Sequence, residues 1–144
     1  MTLDIRIKAI ISLGHFLKQF ALDGKKNESN PLNALFYNDM EELIKTVHIH
    51  NQWFTEDNVR NAIGALADSL GENTLLDWIS NYIKDLEAEK EPKRVAVIMA
   101  GNIPMVGFHD MLCVLLSGNK FVGKLSSDDK LLLPLLTEVL IAIE

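Results

Sequence analysis

Near Pro92 the hydrophobic rhythm of this chain changes, and the change narrows its possible folds to one class. Up to Leu86 the apolar residues recur every three or four positions, whereas beyond the charged stretch Glu87-Ala-Glu-Lys-Glu-Pro-Lys-Arg94 they run together as Val95-Ala-Val-Ile-Met99. The first rhythm draws an apolar stripe along one side of a helix. The second suits a strand covered on both faces in a parallel sheet. A chain with both is α/β: a helical N-terminal region over residues 1–90, then the opening of a second unit over residues 91–144.

In the first region Leu3, Ile7, Ile10, Leu13, Leu17 and Phe20 predict an amphipathic helix from Leu3 to Leu22 with Thr2 as its cap. Asp23 to Ser29 is polar, and Asn30-Pro31 places a proline at the expected first position of the next helix. That stretch is one helix or two, because Asn38 and Glu41 have capping-box spacing ahead of Leu43, Ile44 and Val47. Thr55, followed by Glu56 and Asp57, starts a third helix on Val59, Ile63, Leu66 and Leu70 that Gly71 ends. A fourth is expected from Asn73 to Leu86 on Leu75, Leu76, Ile79, Tyr82 and Ile83.

The second region predicts a strand over Val95–Met99, then Ala100-Gly-Asn-Ile-Pro104 with Pro104 opening a helix that is apolar nearly all round and therefore buried. Ser117-Gly-Asn119 stops that helix and Lys120-Phe-Val-Gly-Lys124 forms a second strand. Ser126 or Ser127, with Asp128 and Asp129, caps a last helix that Pro134 kinks or restarts. The sum is the first strand-helix-strand of a Rossmann-like parallel sheet, incomplete, with an open edge and an apolar helix over Leu131–Ile143. Self-association through that end, as a homo-oligomer, is the expected consequence.

Composition removes several function classes. The net charge is −6 and the 14 basic residues are scattered, so no stripe suits a phosphate backbone and no nucleic-acid partner is expected. Leu131–Ile143 is interrupted by Pro134, Thr137 and Glu138 and falls short of the roughly 20 apolar residues of a spanning helix, so no membrane span is expected. One cysteine forms no internal disulfide, and Asp4, Arg6 and Lys8 break up any signal-peptide core. A reducing cytoplasm fits these features.

Parallel sheets bind ligands at the carboxyl ends of their strands, which directs attention to the loops after Met99 and Lys124. The first offers a glycine, a helix start and the side-chain amide of Asn102; the second offers the ammonium of Lys124 and two hydroxyls. Neither is a G-x-G-x-x-G or P-loop phosphate cradle. From the residues alone Asn102 is either a helix N-cap or a donor facing the crevice, and Lys124 either a solvated strand-end lysine or a ligand contact.

Val95–Pro104, Leu116-Ser-Gly-Asn119 and Val122-Gly-Lys-Leu-Ser126 together resemble the start of the cofactor domain of aldehyde dehydrogenases: a hydrophobic strand, Asn-Phe-Pro, a buried helix, Ala-Gly-Asn, and a strand ending Lys-Pro-Ser-Glu. With its helical N-terminus and Trp53-Phe-Thr segment, the whole chain is similar to the LuxC-type acyl-CoA reductases of that superfamily. The resemblance implies reduction of a long-chain fatty acyl thioester, an acyl-CoA or acyl carrier, to the aldehyde through a cysteine thioacyl-enzyme. It assigns Asn102 to the oxyanion, a donor role worth about 10²–10³ in rate elsewhere. It places Met99 and Ala100 along the cofactor by their backbone, and Lys124, Ser126 and Ser127 at its ribose. Ser127 stands where NAD-preferring relatives often carry a glutamate that repels a 2′-phosphate, so NADP(H) is expected beside NAD(H). Leu125 replaces the family's proline.

The resemblance puts the nucleophilic cysteine well downstream of these motifs. Cys113, in Met-Leu-Cys-Val-Leu-Leu, is expected to be a small core residue, so these residues by themselves are expected to be inactive and not to retain the cofactor. No metal ligand set is expected: His48 and His50 diverge at a helix end and suit a surface, His109 and Asp110 are adjacent and do not pair, and Trp53-Phe54 resembles a hydrophobic staple. The rival to an enzyme fragment is a non-catalytic helical interaction or structural module.

Overall fold

A computed structural model describes residues 1–88 and 90–143. Glu89, within the predicted linker, and Glu144 at the end of the last helix lie outside the described residues. Helix α1 spans Leu3–Lys18, and the Thr2 hydroxyl accepts from the Ile5 amide at 3.4 Å as its cap. It ends before Leu22, in a turn at Gln19–Ala21, where buried Gln19 donates to Asn33 Oδ1 at 2.7 Å and accepts from the Asn27 amide at 3.1 Å. Phe20 is nevertheless fully buried, in a turn rather than on a helix.

Helix α2 is a single element, Asn33–Thr46, continued by a short 3₁₀ turn at Val47–Ile49. Pro31 is not its first residue: Asn30 Oδ1 accepts from the Leu32 amide at 3.0 Å, and that local turn holds the proline ahead of the helix. Asn38 and Glu41 sit inside α2, where Glu41 is recruited by Arg60 instead of serving a cap. Helix α3, Glu56–Ser69, is capped by Thr55 as its sequence predicts, and it packs along α1.

The expected fourth helix is two, α4 (Glu72–Ser80) and α5 (Ile83–Glu87). A turn closed by the Tyr82 amide on Ile79 O redirects the chain, so Leu75, Ile79 and Leu86 reach the core while Leu76 and Tyr82 face solvent. Arg6 of α1 then donates to Leu86 O and Leu115 O, fastening both halves of the chain to one helix.

Strands β1 (Arg94–Ile98) and β2 (Lys120–Lys124) are parallel, with Val95 opposite Phe121 and Ile98 opposite Lys124. Neither is covered on both faces. Val95, Val97, Met99 and Phe121 turn inward, whereas Ala96, Ile98 and Val122 point out, Ile98 being 81% exposed. Helix α6 (Phe108–Leu116) covers only the inner face, so continuous β-branched character is matched by alternating burial.

Helix α6 is also less buried than its sequence suggests. Phe108, Met111, Leu112, Val114 and Leu116 are inside, but His109, Asp110 and Cys113 are exposed. It ends as expected: Gly118 at φ +77 lets its own amide and that of Asn119 turn back onto Leu115 O and Val114 O. The Asn119 side chain accepts from the Lys93 amide, pinning the start of β1 beside the start of β2.

Helix α7, Leu132–Ile143, is not left bare. Leu132, Leu133, Leu136 and Val139 are buried and the helix lies against α1 and α2, leaving Ile141 exposed. Pro134 falls in its first turn, where a missing N–H removes no helical bond, so no restart is needed. One hydrophobic cluster therefore runs from Ile10 through Phe54 and Met111 to Val139. Among the described residues no helix is long and apolar enough to cross a membrane.

Candidate active site

The loops that follow β1 and β2 meet. The Met99 amide donates to Lys124 O at 3.0 Å, extending the ladder by one bond, and Gly101 is buried against Ser126. A Cβ at Gly101 would lie 2.5 Å from Ser126 Oγ and 3.1 Å from the Asp129 amide, so only glycine permits this approach. Ser126 Oγ accepts from the Asp128 amide at 3.2 Å and shapes the second loop. Ser127 Oγ donates to Asp128 Oδ1 at 3.2 Å. Asn51, from the turn between α2 and α3, donates to Asp128 O and ties the helical region to the same loop.

The joined loops sit beyond the carboxyl ends of the parallel strands, with Ala100, Asn102, Lys124 and Ser127 exposed, Ser126 half-buried and Met99 buried. Met99 presents its backbone and packs its side chain over Gly107 and Gly123. Asn102 is not a helix cap. Helix α6 begins only at Phe108, with Gly107 in the cap position, because Met105 takes φ +60 and breaks any helix begun at Pro104. Asn102 stays exposed on the loop instead.

Asp129 underlies this geometry and was legible in sequence only as one of several possible caps. It is 6% exposed, and its Oδ2 accepts from the Met105 amide at 2.8 Å. Burial pushes its carboxyl above the ordinary carboxylate range, with the Met105 and Leu132 amides pulling the other way. Nothing in the sequence sets it apart from the neighbouring Asp128 and Lys130, which are exposed.

Cys113 departs from its expected place. It is exposed on α6, 3.6 Å from His109 Nε2, while His109 stacks on Trp78 with centroids 5.6 Å apart. Residual burial and then the Asp110 charge push its thiol above the usual range, the opposite of an activated nucleophile. Phe54 is fully buried as a staple would be, but Trp53 is 80% exposed. A broad cavity beside Leu3, Ile10, Leu86, Gly118 and Leu140 opens at the other end of the strands, away from Asn102 and Lys124. Its lining mixes apolar side chains with the charged Asp4, Arg6, Lys90 and Glu91, and ligand sites of parallel sheets lie at the opposite, carboxyl ends of the strands.

The family model for acyl-CoA reductases of the LuxC type matches residues 3–144. The chain belongs to this family. Comparisons with curated proteins and with solved structures gave no match. For a LuxC-family protein the matched stretch takes in both the helical region and the strand pair, so Met99, Ala100, Asn102, Lys124, Ser126 and Ser127 all fall inside it. The donor set suits a nicotinamide dinucleotide: an ammonium, hydroxyls and a carboxamide open to solvent around a loop where only glycine fits.

Proposed function

We propose that this LuxC-family chain forms the opening of the nucleotide-binding domain, residues 91–144, and the helical region before it, residues 1–90, of an enzyme that reduces a fatty acyl thioester to its aldehyde. The observation that carries the reading is the junction of the two strand-end loops, Gly101 seated on Ser126 with Asn102 and Lys124 exposed beside it. A nicotinamide dinucleotide, when bound, supplies the hydride. Lys124 contributes an ammonium to the ribose edge, Ser126 and Ser127 offer hydroxyls there, and the Met99–Ala100 backbone forms one wall.

The Asn102 carboxamide donates to the oxygen of the thioester carbonyl as a thiolate adds to it. An N–H donor there stabilises the charge that develops on that oxygen more than the neutral carbonyl, and so lowers the barrier. The acyl-carrying thiolate comes from a cysteine other than Cys113, whose thiol is disfavoured as an anion. A neutral Ser127 tolerates a 2′-phosphate, while the adjacent Asp128 carboxylate keeps the preference for NADP(H) over NAD(H) modest.

Titration of the ¹⁵N-labelled chain with NADPH and with NADH tests the reading. Weak, saturable shifts confined to residues 99–102 and 124–127, reduced several-fold by Lys124→Ala, are the expected result. Shifts scattered over the surface and missing from residues 99–102 and 124–127 would favour a helical interaction module.

A further inference from the structure

Met105 is the one non-glycine with positive φ among the described residues, and it is buried. A left-handed methionine is strained and persists only where its surroundings impose it. Here the imposing group is identifiable. The Met105 amide donates to Asp129 Oδ2 at 2.8 Å, which holds the residue against a neighbouring loop.

Asp129 meets the other end of the same loop as well. Its backbone amide lies 3.1 Å from where a Cβ would stand on Gly101, beside the Ser126 contact. Asn102, Ile103 and Pro104 thus span between two points held by one residue, and Pro104 stiffens the span further. The second carboxylate oxygen, Oδ1, is buried without a partner among the described residues. The Leu132 amide at the start of α7 also favours the charged carboxyl, so Asp129 lies between that helix and the Met105 loop.

We infer that Asp129 is the positioning residue for Asn102: by accepting from Met105 and abutting Gly101 it sets where the Asn102 carboxamide stands in the crevice. The purpose given to that position rests on the reductase reading, but the positioning itself does not. Asp129 touches neither the thioester nor the nucleotide; it acts through the loop.

The test uses the ligand-free, ¹⁵N-labelled 144-residue chain and the variants Asp129→Asn, which keeps an acceptor oxygen, and Asp129→Leu, which fills similar space without one. Asp129→Leu is expected to shift and broaden the Asn102 side-chain amide and to speed Met105 amide exchange about tenfold, the loss of one net hydrogen bond, while α1 and α3 resonances stay in place. Asp129→Asn is expected to restore both signals, which a role in bulk stability alone would not produce. Wild-type Asn102 and Met105 signals in a folded Asp129→Leu chain would overturn the inference. If that variant does not fold, exchange in the wild type decides: a protected Met105 amide supports the contact, an unprotected one overturns it. NADPH added to each sample separates this from the reductase reading. Variant-sensitive Asn102 signals with nucleotide shifts only away from residues 99–102 and 124–127 would leave the positioning standing and sink the nucleotide site, and the reverse would do the opposite.

Discussion

The helical half and the strand half bury their apolar residues with unequal success. In α1 the stripe Leu13, Phe16 and Leu17 is fully covered, because α3 and α7 lie against it. In β1 the equally apolar Val95–Ile98 run leaves every second side chain half-buried at best and Ile98 81% exposed. A helix needs one neighbour for its single stripe, whereas a strand needs a layer on each face. The helical residues find theirs within this chain, and the pair of strands finds only one.

Carboxylates repeat the contrast. Burial would lift Glu41, but hydrogen bonds from Arg60 and Lys45 outweigh it and hold its carboxyl below the usual range. Asp129 has only amides to set against burial and stays above that range. The helical half surrounds its acid with cations drawn from α2 and α3; the strand half uses its acid to hold a loop.

The largest expected break in the comparison is Phe16→Ala. It should cost about 3–5 kcal/mol in urea unfolding, against less than about 0.5 kcal/mol for Ile98→Ala. Equal losses would mean that the outer sheet face is covered in solution.

Next come the paired acids, whose pH dependences should have opposite sign. Glu41 is more acidic folded than unfolded, so its contribution is present above about pH 4.3 and fades as pH falls through the lower folded value. Glu41→Gln should cost about 1–2 kcal/mol at neutral pH and progressively less in acid. Asp129 is less acidic folded, so its protonated form favours the fold in acid and that advantage is lost as pH rises through the folded value. Asp129→Asn should therefore leave neutral-pH stability unchanged or raise it by about 1 kcal/mol, and remove the slope. Slopes of the same sign would deny the contrast.

The smallest effect concerns association. Ile98→Lys should alter stability by less than about 0.5 kcal/mol yet lower the mass seen by light scattering at high concentration, because Ile98 and Val122 are the apolar residues left outward on the sheet. A wild-type monomer under those conditions would remove the outer face as a self-association surface. The other surface anticipated for that role, α7, is already taken by α1 and α2.

Much of this was legible in local pattern. Thr2 and Thr55 cap the helices they precede, Gly118 stops α6, and the rhythm change at Pro92 announces the parallel pair. Misplaced boundaries share a cause: a distant partner outbid the local signal. The turn after α1 is tied to Asn33 through Gln19, Arg60 took Glu41 from its capping spacing, and Asp129 holds Met105 ahead of α6. The exposure of Cys113 has another origin, since helical position alone does not tell which side of an apolar helix its neighbours will leave uncovered.

The succession from helices to a parallel strand pair, the caps Thr2 and Thr55 and the stop at Gly118 follow from the sequence, because each depends on neighbours a few positions apart. That the loops touch, that Asn102 is released from a helix start, and that Asp129 sits beneath them were decided only by the fold. Those outcomes turn on contacts more than twenty residues apart, where burial and one shared hydrogen bond outweigh local preference.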